Sequence, residues 1–148
     1  MTKEVLLSIQ GLQVTDDNQS DTTEVIAPGE YYFRNGRHFL LYDEVSEEKQ
    51  EVTKNIIKVS NDSMELTKRG IVNVHMVFEK DKKNVTYYYT PYGSLLVGIN
   101  AYHIAVTEEA EKLVVDVKYA LEINNEHLAN CHIQIQATPR RDEGFKLV

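Results

Sequence analysis

The chain is poor in the residues that make most small proteins easy to classify. It has one cysteine, Cys131, so no internal disulfide can form. It has no tryptophan, and only three prolines and seven glycines in 148 residues. The glycines form neither a Gly-x-Gly-x-x-Gly fingerprint nor a Walker loop, which excludes phosphate cradles of those kinds. No run approaches the ~20 apolar residues of a membrane-spanning helix. The first residues, MTKEVLLSIQGLQV, are broken by Ser8, Gln10 and Gln13 and do not read as a signal peptide. Positive charge is also scarce: 16 Lys and Arg against 23 Asp and Glu leave a formal net charge of -7. The basic clusters, Lys80-Asp81-Lys82-Lys83 and Arg140-Arg141, are short. A nucleic-acid binder needs a dense cationic face, and an anionic membrane surface attracts polybasic segments, so both partner classes are disfavoured. The expected location is the cytoplasm.

Catalytic patterns are missing as well. There is no Gly-x-Ser-x-Gly elbow. Cys131 and His132 are neighbours on a strand-like run and should face opposite ways, with Cys131 a buried, inert thiol. His38, His75, His103, His127 and His132 are scattered, with no pair at metal-ligand spacing. Asp43 and Glu44 are likewise adjacent and cannot act as an acid/base pair. No catalytic residue, metal ligand or cofactor is assigned, and the chain reads as a non-enzyme.

What is present is alternation. In KLVVDVKYALEIN, Leu113, Val115, Val117, Tyr119, Leu121 and Ile123 share one parity, while Lys112, Asp116, Lys118 and Glu122 take the other. That is a strand with one face in a core and one in water. Val72, Val74, Met76 and Phe78 repeat the pattern, as do Ala129, Cys131, Ile133, Ile135 and Ala137, and Val5, Leu7 and Ile9. SLLVGINAYHIAV is apolar on both parities. Asn35-Gly36 is type I′ hairpin punctuation between strands Glu30–Arg34 and Arg37–Val45, with Phe33, Phe39 and Leu41 as core candidates. Other turns are expected at Asn61-Asp62, Lys80–Lys83, Pro91-Tyr92-Gly93, Glu108–Glu111 and Asn124-Asn125. Residues Val14 to Pro28 are irregular and are expected to form a long loop over one barrel end. No connection is a good helix, so the sheet should be antiparallel. The reading is all-β: one domain, 1–148, an antiparallel meander of about 8–10 strands closed into a barrel, with a two-sheet sandwich as the alternative.

Aromatics offer the candidate site. VTYYYTPYG and EYYF hold six of the nine tyrosines. Tyr87, Tyr88, Tyr89, Tyr92 and Tyr102 are candidate pocket residues, with His103, which shares its parity with Ala101 and Ala105, as an inward polar contact. Which of the three consecutive tyrosines faces inward depends on register. No arginine sits clearly on an apolar parity, so weak discrimination for carboxylates is expected.

The runs GEYYFRNGRHFLLYDE, MELTKRGIVNVHMVFE, TYYYTPYGSLLVGINAYHI and LVVDVKYALEIN, in this order, resemble the YwiB-like uncharacterised calycin-like β-barrel proteins of Gram-positive bacteria. The resemblance spans nearly the whole chain. It implies a barrel similar to the lipocalins and fatty-acid-binding proteins, and it brings no activity, substrate, cofactor or site residue. Two functions follow from fold and surface. One is a barrel holding a small apolar or amphipathic ligand; the other is a filled barrel acting as a regulatory module on a protein partner.

Overall fold

The computed structural model describes residues 3–48, 50–71 and 73–140; Val72 and Arg141 lie outside them. Ten strands follow one another along the chain: β1 (Glu4–Thr15), β2 (Ser20–Arg34), β3 (Arg37–Val45), β4 (Val52–Ser60), β5 (Ser63–Arg69), β6 (Val74–Glu79), β7 (Lys82–Thr90), β8 (Gly93–Glu109), β9 (Lys112–Ile123) and β10 (Glu126–Pro139). They form one antiparallel sheet in the order β6-β5-β4-β3-β2-β1-β10-β9-β8-β7. The long β1–β10 ladder joins the two chain ends, from Val5↔Pro139 to Thr15↔Ala129. The sheet nearly closes on itself where, among the described residues, a single bridge, Asn73↔Tyr89, links the two outermost segments. No helix among the described residues is long and apolar enough to cross a membrane.

The turns follow their residue chemistry. Asn35 and Gly36 both take positive φ, 52° and 74°, as a type I′ turn requires, and Asn124 and Asn125 do the same at 50° and 68°. Alternation then fills one end of the barrel. Val5, Leu7, Leu40, Val59, Met64, Phe78, Leu113 and Val115 are all essentially inaccessible. At this end the Tyr31 hydroxyl hydrogen-bonds His38 Nδ1 at 2.7 Å, and Glu108 lies 3.8 Å from His38 Nε2. Burial lowers the His38 pKa, with Glu108 opposing that shift. The strands read as half-buried behave so: Val115, Val117 and Ile135 are buried, and Tyr119, Leu121 and Ile133 pack against the core.

Two expectations fail. Residues Val14 to Pro28 are not a long loop: β1 runs to Thr15 and β2 starts at Ser20. This hairpin borders the cavity end rather than the packed core, and Asp21, Thr22, Thr23 and Glu24 are all exposed, so no alternation marks it. Pro28 sits where β2 is laddered to β1 alone, an edge position that tolerates a missing N–H. The second failure concerns the hairpin core. Tyr31↔Leu40 pairing turns Tyr31, His38, Leu40 and Tyr42 inward. Phe39 and Leu41 take the outward parity, and Phe33 lies at the rim, 55% exposed, against the His38 ring. Both parities of this segment are apolar, so the pattern could not choose between them.

Leu40→Ala should therefore cost ~2–5 kcal/mol through cavity formation, and Phe33→Ala much less. Urea unfolding of the two variants checks the face assignment; equal losses would contradict it.

Candidate functional site

The other end of the barrel is hollow. Beyond Leu7 on β1 and Leu40 on β3, the inward side chains shrink or become polar, and a cavity of about 310 Å³ opens. Ile9, Val25, Leu66 and Ile133 give it apolar walls, and Tyr42, Tyr119 and Cys131 add polar tips. Gly11 contributes no side chain, and a Cβ there would sit 2.9 Å from Thr23 Oγ1.

A charged cluster stands at one side of this cavity. Met64, Leu66 and Lys68 share the inward parity of β5; Leu40, Tyr42 and Glu44 share that of β3; Asn55, Ile57 and Val59 share that of β4. The register brings the three polar members together. Lys68 Nζ donates to Glu44 Oε1 at 2.6 Å and to Asn55 Oδ1 at 2.8 Å. Asn55 Nδ2 donates to the same Glu44 oxygen at 2.9 Å and to the Thr53 carbonyl at 3.3 Å. Asn55 is 1% exposed, so its amide depends on these partners. The Lys68 ammonium carries one more donor than these two contacts use.

The neighbouring ionisable groups are held neutral. Burial pushes the Tyr42 hydroxyl well above the usual tyrosine range, and the Glu44 charge adds to it. Burial and then Glu44 also raise Tyr88. Tyr119 is raised by burial and then by Cys131. Burial raises the Cys131 thiol against hydrogen bonds from Tyr119 and Gln13 that lower it. The cavity thus offers apolar walls, neutral hydroxyls, a protonated thiol and one ion pair, with Asp21 and His132 also in its lining. Such a lining can hold and orient a ligand.

The structure separates the residues proposed from sequence. Tyr88 packs against the core. Tyr87 and Tyr89 lie outside, each 55% exposed, with their rings stacked at 6.1 Å. Tyr92 is 99% exposed at its turn, and Tyr102 is half exposed. His103 faces outward, where its Nε2 lies 3.3 Å from Asp116 Oδ2, and His132 contacts the other oxygen of that carboxylate. The cause is a bulge: the β8–β9 register shifts between Ala101 and His103. Val97, Ile99 and Ala101 face inward before it, and Ile104 and Val106 after it, so His103 no longer shares the face of Ala101. Among the described residues no group of three His, Cys, Asp or Glu side chains could hold a metal ion. The inward Lys68, Glu44 and Asn55 were missed, although a signal existed. Each occupies the apolar parity of its own strand, on three strands that a meander makes neighbours.

Comparison with known proteins agrees with this architecture. A family model described as a domain of unknown function (DUF1934) matches residues 7–135. Among solved structures, the crystal structure of ywiB protein from Bacillus subtilis is similar, with a TM-score of 0.81 and 20% sequence identity, covering 94% of this chain and 93% of that chain. At that identity the likeness is one of fold. No curated protein matches the chain.

Asn55→Ala should cost ~1–3 kcal/mol, because it strips Lys68 and Glu44 of a buried partner. In a double-mutant cycle with Lys68→Met, urea unfolding should return a coupling of ~0.5–3 kcal/mol. Strict additivity would show that the cluster does not act as a unit.

Proposed function

We propose that this chain, which belongs to the DUF1934 family of unknown function, is a small cytoplasmic binding barrel. Its ligand is a modest amphipathic molecule. The apolar body lies among Ile9, Val25, Leu66 and Ile133, and an acceptor group meets the Lys68 ammonium. One observation carries the reading: a barrel packed solid at one end keeps a cavity of about 310 Å³ at the other, beside an inward, hydrogen-bonded cation. That volume lies at the lower end of ligand pockets, roughly 300–1,000 Å³. Binding rather than turnover is supported by the raised Tyr42, Tyr119 and Cys131 groups, which stay protonated near neutrality. The lone, buried Cys131 suits a reducing compartment.

A second reading has its own observation. The outer face of β2–β4 carries an apolar patch of Tyr32, Phe39, Leu41 and Ile56, which would suit a protein partner. Lys3 and Arg34 lie over the Tyr32 ring and Lys58 over Phe39, so cationic stems already cover part of it.

Medium-chain alcohols, fatty acids and aromatic acids should include molecules that raise the melting temperature. A ligand at a hundredfold excess over its Kd adds ~2.7 kcal/mol of stability. Val25→Phe, which fills the cavity, should abolish the shift while the unliganded protein still melts cooperatively. No shift with any compound, or the same shift in the filled variant, would overturn the assignment.

A further inference from the structure

We infer that the seam between β6 and β7 forms the outer half of the binding site and holds an anionic head group of the amphipathic ligand, a carboxylate or a phosphate. This deepens the binding reading above and rests on it. Along the rest of the sheet, neighbouring strands are joined by multi-residue ladders, bulged only in β8–β9 and β9–β10 among the described residues. Between β6 and β7, among the described residues, one bridge stands alone, with long N···O distances of 3.4 and 3.3 Å. A groove of about 580 Å³ lies over this seam. Its lining comes from both faces of the sheet: Lys68, Val74 and Thr86 from inside, His75, Tyr87 and Tyr89 from outside. The weak pairing there leaves the strand edges of both segments accessible to the groove. Lys68 also lines the interior cavity, so it stands at the junction of the two spaces.

The chemistry of the groove points to an oxyanion. Arg69 and Lys68 line it, with His75, and no Asp or Glu does, in a chain of net charge -7. Lys68 is held by Glu44, and His75 lies 3.8 Å from Glu65. Arg69 is exposed and pairs with no carboxylate among the described residues. Its planar fork suits a carboxylate or phosphate. The stacked Tyr87 and Tyr89 rings form an apolar wall beside it. Next to the groove, a small space of about 110 Å³ is lined by His75, Val77, Asn84, Val85, Thr86 and Ile99. There Asn84 Nδ2 is buried with no protein acceptor. A buried donor left unmatched is costly, and an oxygen of a ligand threaded through the seam would satisfy it.

Titration calorimetry of the full chain with decanoate, decyl phosphate, decanol and decyltrimethylammonium tests this. At least one anion should bind about tenfold more tightly than decanol, the worth of one charge-assisted contact, and the cation more weakly. Arg69→Gln, an exposed change whose folding is checked by its melting curve, should remove that advantage and leave decanol binding unchanged. Tyr87→Ala should weaken the anion as well. If decanol binds but charge and Arg69 make no difference, the seam assignment falls and the interior site stands. If no amphiphile binds, both fall.

Discussion

Alternation around a ring of ten strands is the constraint on which the rest depends. Every second residue of every strand must enter one shared interior, and ten strands enclose more space than eight, whose interior side chains can just fill. At the end holding Leu7, Leu40, Phe78 and Leu113 the side chains are large enough to meet. At the other end the inward positions are Gly11, Thr23, Glu44 and Lys68, which cannot close an apolar core. The hollow is thus a result of which residues fall on the inward parity, not of any separate lid or loop.

The same constraint explains the charged cluster. A lysine on an inward position must find partners, because an ammonium taken from water without them is strongly destabilising. Glu44 and Asn55, on the two strands that lie next in order, supply them. All three sit beside the cavity mouth, where Lys68 and Glu44 keep partial access to water. Stability alone does not call for the ion pair, since a well-packed apolar trio is often as stable.

Much of the fold was legible because β9 and β10 alternate cleanly, and because Asn35-Gly36 and Asn124-Asn125 are residues that accept positive φ. What was illegible has specific physical causes. The β2–β3 hairpin is apolar on both parities, so only the Tyr31↔Leu40 register decides its face. The bulge after Ala101 leaves no mark in the hydrophobic pattern, yet it turns His103 to solvent. The β1–β2 hairpin lacks alternation because its inward positions, Gly11 and Thr23, border the cavity and not the packed core. Within the tyrosine run, Tyr88 packs toward the interior, while Tyr87 and Tyr89 lie outside, a choice that only the register makes. The polar centre is not legible because Lys68, Glu44 and Asn55 are distant in sequence and are joined only by strand order.

The central claim is a barrel packed at one end and open to a ligand at the other. A crystal structure of the chain grown with a bound amphiphile tests it most directly. The account predicts the apolar body between Val25, Leu66 and Ile133, and a polar atom within hydrogen-bond distance of Lys68 Nζ. Side chains collapsed into that space, with the amphiphile absent or seated only on the outer face of β2–β4, would contradict it.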